Sequence, residues 1–177
     1  MSVQNANTSC TLEEKIQDAR FFTEKERVIL SDAAQNFVTQ TYQGDYDVVV
    51  FLDKSARPYS YLFKERWKAL YPDSEVPQIR FANIGTEKDK RDYSPYKSNP
   101  EDLRKIFGSK QFSGKRILIA DDFVFSGLTL KYAKQLFSTA FPESAYVGSG
   151  SFYSSLERAD LDVKPLPNEG EDHSQIS

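Results

Sequence analysis

The run Tyr-Asp-Val-Val-Val-Phe-Leu at residues 46–52 constrains the fold more than any other stretch of the chain. Apolar, largely β-branched residues at adjacent positions leave neither face for water, so a strand here must be covered on both sides, as in a parallel sheet. Pro58 follows at a position suited to the first turn of a helix. Tyr59, Leu62, Phe63, Arg66, Trp67, Leu70 and Tyr71 then recur at three- and four-residue spacing, which completes a βα unit with Trp67 in its core. "QIRFANI" at 78–84, "RILIA" at 116–120 and "AYVGSGSFY" at 145–153 read as three further strands. Asn99 as cap, Pro100, the acids Glu101 and Asp102, and Gly108 delimit a short helix, and another is expected from about Thr129 to Phe137. Strands alternating with helices predict an α/β fold with a twisted, mainly parallel sheet flanked by helices and joined by right-handed crossovers. Ligands of such sheets sit where strand carboxyl ends meet helix starts.

Two helices are expected before the first strand. Thr11 with Glu14, and Thr23 with Glu26, have the spacing of a capping box. Ile29, Ala33, Phe37 and Thr41 form a stripe on the second helix, which Gly44 and Asp45 end. Residues 1–10 read as a flexible start and 160–177 as a polar tail, leaving one domain over 11–159. A net charge of -3 gives no global attraction to nucleic acid or to anionic membranes. A single cysteine, Cys10, excludes an internal disulfide, and no apolar run reaches membrane-spanning length. The N-terminus lacks the pattern of a signal peptide, so a soluble, cytoplasmic protein is expected.

The third strand ends in chemistry. "RILIA" runs directly into Asp121 and Asp122, then three bulky residues, then Ser126, Gly127, Leu128 and Thr129. A turn and helix start at a strand's carboxyl end offer amides to a phosphate, Ser126 and Thr129 add hydroxyls, and Gly127 lets the backbone approach closely. Carboxylates are poor phosphate ligands but good acceptors for vicinal hydroxyls, so the combination suggests a sugar phosphate such as ribose 5-phosphate. The other reading of the same residues is structural, with the acids ending a strand and Ser126 capping a helix.

"ILIADDFVFSGLTL" resembles the PRPP-binding signature of the type I phosphoribosyltransferases. The resemblance implies a fold of that kind in which Asp121 and Asp122 hold the ribose hydroxyls, directly or through Mg²⁺, while Phe125, Ser126, Gly127, Leu128 and Thr129 wrap the 5-phosphate. It also implies that "DKSARP" contacts pyrophosphate through Lys54, Ser55 and Arg57. The charged segment at 85–98 then takes the place of a mobile hood, with Lys88, Lys90 and Arg91 closing over the leaving group. The implied reaction is displacement of pyrophosphate from C1 of PRPP by a nitrogenous acceptor; the implied partners are small molecules, and a homodimer would suit the family. One position departs from the signature: many family members carry an acid just before the Ser/Thr-Gly pair, and this chain has Phe125. Proton transfer from that position is thereby excluded, which leaves a non-catalytic PRPP or nucleotide sensor as the alternative.

Other chemistries find no support. "GSKQFSGK" at 108–115 has the wrong glycine spacing for a P-loop and precedes a strand. Dinucleotide-binding and nucleophile-elbow motifs do not occur, and one cysteine with His173 in the tail cannot build a zinc site. A phosphoryl-receiver fold would need its acidic pair after the first strand, where only Asp53 stands.

Overall fold

The computed structural model describes residues 23–53, 55–84, 98–154 and 160–166. Lys54, Lys88, Lys90, Arg91, His173 and the Thr11–Glu14 pair lie outside the described residues.

Four strands form one parallel sheet in the order β2-β1-β3-β4: β1 at Val48–Leu52, β2 at Gln78–Ala82, β3 at Arg116–Val124 and β4 at Tyr146–Ser154. All five residues of β1 are buried, as its unbroken apolar run requires. Val48, Val50 and Leu52 enter one hydrophobic cluster, Val49 and Phe51 the other, in the period of two that a strand imposes.

Helices α1 (Glu24–Gln43) and α2 (Arg57–Leu70) pack on the Phe51 face. Phe37 stacks on Phe152 with centroids 4.2 Å apart, and Phe63 and Trp67 complete this layer. α1 begins with the expected capping box: the Glu26 amide donates to Thr23 Oγ1, and the Thr23 amide donates to the Glu26 carboxylate at 2.7 Å. Ala33, Phe37 and Thr41 are buried, whereas Ile29 is exposed because the packed part of the helix starts only at Ala33. Helices α3 (Pro100–Phe107) and α4 (Leu128–Ala140) cover the other face, where Phe112, Phe137 and Phe141 meet Ile117 and Ile119. Asn99 caps α3 by accepting from the Asp102 amide at 3.0 Å.

Two boundaries differ from the sequence reading by more than a turn of helix or a residue or two of strand. β3 does not stop at Ala120 but runs through both acids to Val124, because β4 continues beside it and pairs Asp121 with Ser151 and Val124 with Ser154. The supposed tail also docks over 160–166. Leu161 and Val163 are buried, and Val163 forms a parallel bridge with Gly150, where a Cβ would lie 2.6 Å from that of Val163. Between them Asp162 accepts from the Ser149 amide, the Lys134 ammonium and the Tyr146 hydroxyl. Lys164 is held from α1: its carbonyl accepts from Asn36 and Gln40, and its amide donates to Gln40.

Candidate functional site

From β1 the chain leaves by way of α2 to β2 on one side, while β3 and β4 lie on the other. The sheet therefore has its switch point between β1 and β3, where an open α/β sheet leaves a crevice at its carboxyl ends. The segment that leaves β1 and the end of β3 meet there. Ser55 Oγ donates to Asp122 Oδ1 at 2.9 Å. The Asp53 amide donates to the Ala82 carbonyl at 2.9 Å, which ties the start of the same turn to β2.

The Arg57 guanidinium donates through Nε and Nη2 to the two Asp53 oxygens at 2.9 and 2.8 Å and lies 4.8 Å from the Phe81 ring centroid. Sequence reasoning assigned Arg57 to a bound anion and missed Asp53 as its partner, although their i,i+4 spacing was the available signal. The Arg57 side chain nevertheless stays 54% exposed.

Asp121 and Asp122 are both partly buried, and the Asp122 amide donates to Asp121 Oδ1 at 3.0 Å. Burial is the largest influence on Asp121; a hydrogen bond between the two carboxyl groups and the charge of Asp122 add to it, the Asp122 amide opposes them, and the balance pushes the Asp121 carboxyl up to about 7. Among the described residues no Lys or Arg forms an ion pair with either acid. Tyr59 on α2 belongs to the same surroundings: burial, then the Asp122 charge, raises its hydroxyl above the usual range. Nothing in the spacing of Tyr59 distinguished it from the rest of the α2 stripe.

Beyond Val124 the backbone turns sharply. Gly127 has φ 72°, in the left-handed region that glycine adopts without strain, and it is the cap position of α4. No side chain caps this helix. Ser126 Oγ receives only a long 3.4 Å contact from the Leu128 amide, so the helix start keeps amides to offer an anion. Ser126 and Thr129 are exposed beside it. Phe125 is 73% exposed, with Phe123 at 50% and Leu128 at 51%. The structure thus brings Ser55, Asp121, Asp122 and the Ser126–Thr129 turn to one end of the sheet, and Arg57 to its margin.

Among the described residues no group of three or more His, Cys, Asp or Glu could hold a metal ion, and no helix is long and apolar enough to cross a membrane.

No protein-family model matches the sequence, and no curated protein matches it. Solved structures similar to this chain include the hypoxanthine phosphoribosyltransferase of Trypanosoma cruzi, 16% identical over 74% of this chain and 68% of that one, with a TM-score of 0.46. A purine phosphoribosyltransferase from Pyrococcus horikoshii is 12% identical over 72% of this chain and 81% of that one, with a TM-score of 0.45. The HGPRT-ase of Leishmania tarentolae in complex with GMP is 10% identical, over 70% of this chain and 63% of that one, with a TM-score of 0.43.

Proposed function

We propose that this chain is a PRPP-dependent phosphoribosyltransferase-like protein whose site lies at the β1/β3 switch point. The observation that carries this reading is the pair of partly buried acids on β3, one of them held by Ser55, a few residues before an uncapped helix start. Asp121 and Asp122 would accept from the ribose hydroxyls, and the amides and hydroxyls from Ser126 to Thr129 would receive the 5-phosphate. Lys54, Ser55, Arg57, Lys88, Lys90 and Arg91 are assigned to the pyrophosphate. For Arg57 this requires exchanging Asp53 for the ligand, which is feasible because an exposed ion pair in water is weak.

Two hard carboxylate donors suit Mg²⁺, which takes one or two carboxylates and completes its shell with water and substrate phosphates. Held by Asp121 and Asp122, the ion would supply neutralising charge for the pyrophosphate. In the reaction the bond from C1 to the pyrophosphate oxygen breaks, its electron pair leaves with pyrophosphate, and the acceptor nitrogen closes on C1. The protein's part is to fix the ribose and surround developing charge, so positioning and electrostatics carry the rate rather than covalent participation.

Calorimetric titration with PRPP and Mg²⁺ tests the reading. Saturable binding by the parent that is lost in the Asp121→Asn, Asp122→Asn double variant is expected; no heat from the folded parent overturns it. The sensor reading is favoured by one observation, Phe125 in place of an acid. Binding without pyrophosphate release across a panel of nitrogenous acceptors would select it.

A further inference from the structure

Apolar side chains exposed one at a time need no explanation, but three large ones within six residues beside a pair of acids do. Phe123, Phe125 and Leu128 are each at least half exposed, while Val124 between them is buried. Their backbone is not loose. Val124 pairs with Ser154 across the sheet, its carbonyl accepts from Ser154 Oγ at 3.1 Å, and Lys131 donates to the Gly127 carbonyl at 2.9 Å. An apolar rim thus lies beside the acids and the turn, on backbone fixed at Val124 and Gly127. A phenyl ring can offer a face to a planar ligand, but it accepts no proton.

We infer that Phe125, flanked by Phe123 and Leu128, determines acceptor specificity and selects a flat aromatic ring bearing a free primary amine. This rests on the ribose-phosphate reading above and deepens it. A neutral amine already holds the lone pair that attacks C1, so no base is needed before the bond forms. The C1–N bond forms as the C1–O bond breaks, pyrophosphate leaves with the electron pair, and the resulting ammonium gives its surplus proton to water. A ring N–H heterocycle, by contrast, attacks well only as a neighbouring base draws off its ring proton, and Phe125 cannot take it.

The test uses the full chain with PRPP, Mg²⁺ and three probes: aniline, which has ring and amine; ammonium, its concentration counted as the neutral ammonia present, which supplies the amine alone; and hypoxanthine, whose imidazole ring has a proton to shed. Pyrophosphate release is followed for each. Aniline is expected to exceed ammonia in kcat/KM by about tenfold or more, the size of one stacking contact, and to exceed hypoxanthine because it has no ring proton to lose. In Phe125→Ala the KM for aniline should rise by a similar factor with kcat little changed, and Phe125→Tyr should restore it. Equal rates with ammonium, preference for hypoxanthine, or an unaltered aniline KM in Phe125→Ala would overturn the inference. So would sedimentation showing a parent dimer that Phe125→Ala dissolves, since the rim would then be an interface. PRPP titration of the parent, made without acceptor, separates failure of the inference from failure of the site itself.

Discussion

Asp121 and Asp162 are partly buried aspartates at opposite ends of the fold's logic. Burial pushes both carboxyls up, but Asp162 is given three donors to oppose it and Asp121 only the Asp122 amide. The Tyr146 hydroxyl, the Lys134 ammonium and the Ser149 amide bring it below the usual carboxylate range. Asp121 has a second acid for a neighbour and rises to about 7. One carboxylate has its counter-charges built in and serves as a latch. The other lacks them, which costs the empty protein stability and leaves the group suited to a ligand that brings positive charge or hydroxyl donors.

The sharpest way to break this contrast is to neutralise the acids in turn. Asp121→Asn with Asp122→Asn should weaken binding of PRPP with Mg²⁺ by about a hundredfold or more, since each charge-assisted hydrogen bond contributes about 1.5–3 kcal/mol, while the fold stays intact by circular dichroism. Asp162→Ala should instead leave the binding constant near that of the parent and lower the unfolding free energy by about 2–3 kcal/mol in urea, because three donors lose their acceptor.

The pH dependence should separate the same two residues. Asp121 has a folded-state pKa above its unfolded value, so its contribution is full below about pH 4 and is lost as pH rises through about 7. Asp121→Asn should therefore raise stability at pH 8 by on the order of 2 kcal/mol and flatten that limb. Asp162 has the opposite sign: its stabilisation is present above the ordinary carboxylate range and is lost as pH falls through its lowered pKa. Thermal melts of Asp162→Asn across pH should lack the parent's acid limb. The smallest effect is expected from Asp53→Asn, which removes the partly buried partner of the exposed Arg57 and should barely move the urea midpoint. Weaker PRPP binding in that variant would remove the pyrophosphate role given to Arg57.

The strands and helix ends that local chemistry determines were legible in the sequence. Val48–Leu52 is buried on both faces as its composition requires, and Thr23 with Glu26 and Asn99 with Asp102 make the caps their spacing predicts. Features depending on distant partners were not. The acids at 121 and 122 look like a strand terminus until β4 is laid beside them. Leu161 and Val163 form too short an apolar pattern to read inside a polar stretch, and their seat is made by Gly150 together with donors from α4 and β4. Within the site, the acids, the turn and Ser55 follow from the motif. The Asp53–Arg57 pair was signalled only by its i,i+4 spacing, and the exposed pose of Phe125 required the backbone.

Lys164 is stitched to Asn36 and Gln40 across 128 and 124 positions of chain. A ribosome making this protein releases the α1 carboxamides long before it makes the segment they grip. The growing polypeptide must therefore carry an unfilled flank beside β4 until the residues around 164 emerge, and a product cut short at 159 would keep that flank bare for its lifetime.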